Sequence, residues 1–147
     1  MILNEIIAST TAEVGISWFD FYSIGHVCFG LGVFLFLSLF YVIPKHHGNT
    51  EWIALWFIFI LAIGVLILWE VLEHTLFIAI GIKFEGRADS IQNLTTDILL
   101  GVVGAIINCL AAKTIVKKNK MWAYYIPGLI AFGIWLGVFF IARFFTL

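Results

Sequence analysis

Charged residues are scarce in this chain. They make up 12% of its 147 residues, whereas they account for about a quarter of a soluble globular domain. Hydrophobic residues make up 63%, and the mean hydropathy is +1.09. This composition excludes a soluble globular domain and indicates an integral membrane protein, for which we expect lipid contacts and no nucleic-acid partner.

Cysteines and early basic residues are also few. Cys28 and Cys109 are the only cysteines, and they lie inside apolar stretches without CxxC spacing. They therefore predict neither a disulfide framework nor an iron–sulfur site. The first seventeen residues contain no Lys or Arg, which argues against a cleavable signal peptide. Because the sequence has no internal repeat and no long linker, we expect one transmembrane domain over residues 1–147.

Four stretches are apolar enough to cross a membrane, since about 20 residues span a hydrocarbon core of roughly 30 Å. Pro44 is expected to end the first, and Asp89 or Ser90 to cap the third. A short interfacial helix is a further candidate at residues 2–15. The expected spans are residues 19–43, 52–82, 90–112 and 122–145. The sequence thus predicts an all-α fold, an integral membrane four-helix bundle.

Basic residues are distributed unevenly over the connections between these spans. Four lysines fall within residues 113–120, and Lys45 is expected on the same side, opposed only by Glu51. The other side carries three basic and eight acidic residues. Because Lys and Arg are enriched in loops that stay in the cytoplasm, we expect a multi-pass protein of the cell membrane with both termini outside the cytoplasm.

Six polar side chains are concentrated in the second and third spans and the connection between them. They are Glu70, Glu73, His74, Asp89, Asn93 and Asp97. A carboxylate at membrane depth costs at least about 2.5–3.5 kcal/mol, so each should face a partner, a cation or water. On each span the members are three or four residues apart and therefore share a helix face. The cluster is the expected functional site.

Residues on the other two spans reach the same depth. With a rise of about 1.5 Å per residue, His26, Glu70, Asp97 and Arg143 lie about 24 to 32 Å from the cytoplasmic edges of their spans. This depth is close to the outer boundary of the hydrocarbon core. The expected site therefore draws on all four helices.

The carboxylates of the outer half outnumber its basic side chains, so some of them must be protonated, solvated or bound to a cation. An oxygen-rich set suits Mg²⁺, Mn²⁺ or Ca²⁺, while one or two imidazoles would admit Mn²⁺, Fe²⁺ or Zn²⁺, and we expect Mg²⁺, Mn²⁺ or Zn²⁺. A di-iron centre is disfavoured, because it would need a Glu-x-x-His motif on each of two helices. The candidate metal ligands are His26, Glu70, Glu73, His74, Asp89, Asn93 and Asp97.

Three functions are open for such a cluster. The sharpest is metal-dependent hydrolysis of an envelope lipid or lipid phosphate, with Glu73 or His74 as general base and Arg143 as phosphate clamp. A carrier of protons or cations would use the same carboxylates. A structural subunit of a homo-oligomer or larger membrane complex would use them only to fix packing, aided by close helix approach at Gly30 and Gly104.

The order of the polar motifs resembles that of a known group of membrane proteins. The motifs are Ser23-x-x-His26-x-x-x-Gly30, Trp69-Glu70-x-x-Glu73 and Asp89-Ser90-x-x-Asn93-x-x-x-Asp97, with Gly104 following. Together they resemble an uncharacterised family of small four-span proteins in the VanZ-like group, over residues 19–112. That pattern has Asn after the second Glu, where this chain has His74. The resemblance implies the four-span fold and the same polar positions, and it points toward envelope chemistry without an established reaction.

Overall fold

The structure is a computed structural model that describes residues 6–83, 86–118 and 120–146, excluding the side chains of residues 139, 142, 143, 145 and 146. These ranges are helical or irregular, apart from an isolated parallel bridge between Ile7 and Phe19. A 3-10 turn (Thr11–Glu13) comes first. The helices are α1 (Ser23–Leu37), α2 (Leu39–His46), α3 (Leu55–Leu72) with a π-helical turn (Glu73–Phe77), α4 (Ile91–Lys117) and α5 (Met121–Thr146).

The helices form a membrane bundle, as the sequence predicts. Three segments are long and apolar enough to cross a membrane: Leu55–Phe77, Ile91–Lys117 and Met121–Val138. α1 and α2 together make a further candidate span, bent by 48°. The described residues thus contain three such helices, or four spans if the bent pair crosses as one. Large apolar side chains such as Trp56, Leu68 and Leu110 are exposed on the outside of the bundle, where they contact lipid.

The first expected span differs from the prediction in its start, its continuity and its end. The helix begins at Ser23, is interrupted at Ser38 and continues through Pro44 to His46. Pro44 has no N–H to donate to the Phe40 carbonyl one turn earlier. That carbonyl instead accepts the backbone N–H of Trp52 at 3.1 Å. Because the freed carbonyl has a new donor, the proline does not end the helix.

The second expected span ends in a wider π-helical turn. Within it, Thr75 Oγ1 donates to the Val71 carbonyl at 2.6 Å. Beyond it, Gly81 has a φ of 70°, a conformation that glycine adopts at little cost, and the chain leaves the helix there. Single π turns are often found at functional sites, and this one carries Glu73 and His74.

α4 begins at the predicted cap. Ser90 is the N-cap residue, and its hydroxyl accepts the backbone N–H of Asn93 at 3.1 Å, which confirms the prediction. The helix continues to Lys117, beyond the expected end at residue 112. Lysines near a helix C-terminus interact favourably with the helix dipole, and their aliphatic stems extend the apolar surface. Both effects favour the longer helix.

α1 and α4 approach each other backbone to backbone. A Cβ atom on Gly30 would overlap the Gly101 carbonyl oxygen, and one on Gly104 would overlap the carbonyl of Val27. The prediction that these glycines permit close helix approach is confirmed. His26 on α1 lies one turn before Gly30, just as Asp97 on α4 lies one turn before Gly101. The close contact therefore brings these two polar side chains within reach of each other.

Residues 6–22 fold over the end of the bundle where α1 and α4 begin. The Ser90 backbone N–H donates to the Gly15 carbonyl and its hydroxyl to the Ile16 carbonyl, both at 2.7 Å. Arg87 adds a hydrogen bond to the Ala12 carbonyl at 2.8 Å. Of the candidate interfacial helix at residues 2–15, residues 2–5 lie outside the described chain, and the named helical element in the remainder is the 3-10 turn.

Candidate functional site

A cavity of about 60 Å³ lies at the covered end of the bundle; several of the polar residues line it, but Glu70 and His74 are not among its described lining residues. Trp69, Phe77 and Trp135 provide apolar wall, while Asp20, Glu73, Lys83, Asp89, Asn93 and Asp97 are among its polar residues. One water needs at least about 10–15 Å³ of such volume. The cavity therefore has room for a few waters, a hydrated ion or a phosphate group, and the remainder of a lipid would have to lie outside it.

His26 joins two carboxylates that come from different helices. Its Nδ1 lies 3.5 Å from Glu70 Oε1, and its Nε2 lies 3.5 Å from Asp97 Oδ2. The three side chains are no more than 11% exposed. A neutral imidazole has one N–H donor, so the ring serves both groups when it is protonated or when one of the two carboxyls carries a proton. Through this bridge, His26 links α1, α3 and α4.

Both carboxylates also have a buried oxygen without a hydrogen bond, although Glu70 Oε2 lies 3.9 Å from His74 Nδ1. Glu70 Oε2 and Asp97 Oδ1 are buried and form no hydrogen bond with any described residue. Leaving a buried polar atom unsatisfied costs about 1–3 kcal/mol, and more when the atom is charged. The two oxygens therefore indicate positions for a proton, a water or a cation.

His74 presents one ring nitrogen to the site. Its Nδ1 contacts the Glu70 backbone carbonyl at 2.7 Å. Because a carbonyl only accepts, Nδ1 carries the proton in this contact. Nε2 accepts the backbone N–H of Asp89 at 3.1 Å and lies 3.2 Å from Asp89 Oδ2. With Nδ1 protonated, Nε2 is the ring nitrogen that faces Asp89 and that could ligate a metal when it carries a lone pair.

Glu70, His74 and Asp89 form a candidate ligand set. One ligand atom from each lies within 4.8 Å of the other two. Metal–ligand bonds to nitrogen and oxygen are about 2.0–2.2 Å, so small side-chain movements would let one ion contact all three. Their positions are fixed by the end of α3, the π-helical turn and the loop before α4.

Lys83 pairs with two of the carboxylates. Its Nζ lies 2.6 Å from Asp89 Oδ2 and 3.1 Å from Glu73 Oε1. Burial alone would lower the pKa of Lys83, but the Glu73 charge and the hydrogen bond to Asp89 outweigh it and raise this pKa. Burial raises the pKa of the Asp89 carboxyl, which Lys83 partly offsets. The lysine therefore stays charged at neutral pH.

Asn93 connects the N-terminal segment to the site. Its Nδ2 donates to the Ser17 carbonyl at 3.0 Å and to Asp20 Oδ2 at 3.1 Å. Asp20 also accepts the backbone N–H groups of Gly15 and Tyr22, at 3.0 and 2.8 Å. These contacts hold residues 15–22 against α4 and cover one side of the cavity.

The predicted site residues are all on the described chain, but they have different partners. Three of the seven predicted metal ligands come together in one set: Glu70, His74 and Asp89. The other four line or border the cavity with separate contacts: His26, Glu73, Asn93 and Asp97. Arg143, the predicted phosphate clamp, lies in α5, and its side chain is outside the described part of the structure.

Asp20 and Lys83 line the cavity but are not among the residues that the sequence assigns to the site. Asp20 and Ser23 are three residues apart and hydrogen-bond each other at the start of α1. The Asp20 N–H donates to Ser23 Oγ at 3.0 Å, and the Ser23 N–H donates to the Asp20 carbonyl. An Asp three residues before a Ser at a helix start is therefore the sequence signal that could have identified Asp20. Lys83 had no comparable signal, since its carboxylate partners lie ten residues before it in the π-helical turn and six residues after it in the loop before α4.

The fold and the cavity define an integral membrane helical bundle with a buried polar site at one end. More specifically, the chain belongs to the family described as "Predicted membrane protein (DUF2238)", whose model matches residues 6–118. The matched range contains α1 to α4 and the three members of the ligand set. No curated protein and no solved structure matches the chain. An uncharacterised membrane family is thus confirmed, while the link to the VanZ-like group stays a prediction.

Proposed function

We propose that this protein binds a divalent cation and uses it to hydrolyse a phosphate-containing lipid of the cell envelope. Glu70, His74 and Asp89 would hold the ion near the headgroup level of the outer leaflet. The observation that carries the proposal is their mutual spacing of 4.8 Å or less, together with the buried Oε2 of Glu70, which forms no hydrogen bond with a described residue.

The charge around the cavity supports a cation. Among the described side chains, Lys83 is the only lysine or arginine that pairs with a site carboxylate. Arg87 donates instead to backbone carbonyls of the N-terminal segment. The carboxylates that line or border the cavity are Asp20, Glu70, Glu73, Asp89 and Asp97. A divalent ion beside Glu70 would compensate part of the remaining negative charge.

The donor set favours Mn²⁺ or Zn²⁺ over Mg²⁺. Mg²⁺ prefers oxygen ligands and keeps several waters, whereas two carboxylates with an imidazole suit the transition metals. The Nδ1–H of His74 already donates to a backbone carbonyl, as the second nitrogen of a metal-bound histidine usually does. On metal binding, Nε2 would exchange the Asp89 N–H for the ion.

A divalent cation at the headgroup level could support hydrolysis of a lipid phosphate. A bound divalent ion lowers the pKa of water and polarises a phosphate oxygen. Glu73 is the general base, because it lines the cavity and His74 is engaged as a ligand. The water oxygen attacks phosphorus and its proton passes to Glu73. The phosphorus–oxygen bond to the alcohol then breaks, and that oxygen receives the proton.

Phosphate release tests this activity. The purified chain is placed in vesicles containing phosphatidic acid, with Mn²⁺ or Zn²⁺ present or removed by a chelator. We expect metal-dependent release that falls roughly 100-fold in Glu73→Gln, the usual scale for loss of a general base, and that disappears in Glu70→Gln. Glu51→Gln is the matched control, since Glu51 pairs with Lys45 away from the cavity.

Vesicles of other lipid composition, together with measurements of metal binding and ion flux, separate the alternatives. A wild-type chain that binds metal but releases no phosphate from any lipid would exclude the hydrolase. Proton or cation flux across the vesicles, lost in Glu70→Gln, would then indicate a carrier. A structural subunit would show neither activity, and its carboxylate variants would lose only stability.

A further inference from the structure

A buried lysine lies among the carboxylates of the cavity. Lys83 follows the turn at Gly81, and its side chain is only 3% exposed. Its ammonium donates to Asp89 Oδ2 at 2.6 Å and to Glu73 Oε1 at 3.1 Å. Because desolvation offsets much of the attraction in a buried ion pair, such a pair is weak evidence for a stabilising role.

The Asp89 oxygen that Lys83 contacts is also close to the proposed ligand His74. Oδ2 lies 3.2 Å from His74 Nε2, so Lys83 and an ion bound by His74 would both draw on Asp89. We infer that Lys83 determines the ion specificity of this site: its ammonium holds Asp89 when no ion is bound and disfavours ions that bind through oxygen alone. The inference rests on the proposed cation site.

This competition affects Ca²⁺ and Zn²⁺ differently. Ca²⁺ takes oxygen ligands, usually six to eight, so its binding depends on carboxylates that Lys83 already contacts. Zn²⁺ also bonds to imidazole nitrogen, and both His74 and Glu70 stay available to it while Lys83 contacts Asp89. Lys83 therefore lowers the affinity for Ca²⁺ more than the affinity for Zn²⁺.

Titration of the whole 147-residue chain with Zn²⁺ and with Ca²⁺, followed by calorimetry, tests the inference. Lys83→Gln should bind Ca²⁺ at least about tenfold more tightly, with a smaller gain for Zn²⁺, so that the preference for Zn²⁺ falls. Lys83→Met removes the same charge with a side chain of similar reach and should give the same result. Lys83→Arg should keep the wild-type preference.

Arg87→Gln is the matched control. Arg87 is exposed in the same loop and donates to the Ala12 and Val14 carbonyls, so its removal changes the net charge equally without touching Asp89. This variant should keep the affinities for Ca²⁺ and Zn²⁺ within about twofold of the wild-type values, as expected for loss of an exposed charge.

Several outcomes would overturn the inference while leaving the cation site intact. One is an unchanged or weaker Ca²⁺ affinity in the Lys83→Gln and Lys83→Met chains that still bind Zn²⁺. Another is an equal change of preference in Arg87→Gln. Loss of Zn²⁺ binding from folded Lys83 variants would also contradict it. If the Lys83 ammonium competes with the ion for Asp89, its removal should not weaken Zn²⁺ binding. A wild-type chain that binds neither ion would instead refute the proposed function.

Discussion

The two histidines of the site differ in what their ring nitrogens contact. Both nitrogens of His26 face carboxylates, at 3.5 Å each. His74 donates from Nδ1 to a backbone carbonyl and has Nε2 directed at Asp89. His26 therefore acts as a bridge that holds three helices together, and His74 is the better candidate for a metal ligand.

Replacing His26 should mainly affect stability. In His26→Leu, Glu70 and Asp97 would each lose a partner while staying buried, and unsatisfied buried groups cost about 1–3 kcal/mol. We expect a lower melting temperature in detergent than for His46→Leu, a control at an exposed position near the end of α2. Equal melting temperatures for the two variants would show that the bridge contributes nothing to the fold.

Asn93 should be important for attachment of the N-terminal segment. In Asn93→Ala, the Ser17 carbonyl and Asp20 would lose their side-chain donor, at an expected cost of about 1–3 kcal/mol. Limited proteolysis should then cut within residues 6–22 faster than in the wild type. Gln92→Ala, at an exposed position on the same helix, is the control, and equally fast cleavage in both variants would contradict this role.

Among the helices, α1 and α4 depend on glycine for their contact. A methyl group at Gly30 would meet backbone atoms of α4, which cannot move aside as a flexible side chain can. Gly30→Ala should therefore destabilise the chain by at least about 1–3 kcal/mol, the usual cost of overpacking. Gly64→Ala has open space at its Cβ position and should leave the melting temperature unchanged. Tolerance of alanine at Gly30 would disprove the close contact.

Helix positions follow from local sequence more completely than helix breaks do. Apolar length predicts α3, α4 and α5, and Ser90 is recognisable as a cap. The break at Ser38 has no such signal, because its hydroxyl contacts the Leu35 carbonyl and Tyr124 of α5 at 2.7 and 2.8 Å. That second partner is 86 residues away. All three members of the candidate ligand set are among the seven ligands that the sequence predicts, but helix spacing groups only Glu70 with His74, and the loop that brings Asp89 to them has no sequence signal.

The whole molecule has its polar cavity at one end and most of its lysines at the other. The end of α4 and the connection after it hold Lys113, Lys117, Lys118 and Lys120, while the cavity lies where α4 begins. Because basic loops stay in the cytoplasm, we expect the cavity to face the outer side of the cell membrane. This orientation would give it access to envelope lipids.

Reporter fusions test the orientation. Alkaline phosphatase fused after residue 147 should be active, because it folds outside the cytoplasm, whereas a fusion within residues 113–120 should be inactive. Fluorescence from green fluorescent protein at the same two positions should show the opposite pattern. Replacing the four lysines of that connection by glutamine should weaken the preference. An active phosphatase only at the lysine-rich connection would place the cavity on the cytoplasmic side.

The metal content of the purified chain tests the central claim most directly. After equilibration with Mn²⁺ or Zn²⁺ and removal of free ions, elemental analysis should find about one ion per wild-type chain, as for a single three-ligand site. Glu70→Gln should lose most of it, whereas Asp97→Asn and Glu51→Gln should retain it, since neither residue belongs to the ligand set. A wild-type chain without stoichiometric metal, or a Glu70→Gln chain that keeps its ion, would contradict a cation site at Glu70, His74 and Asp89.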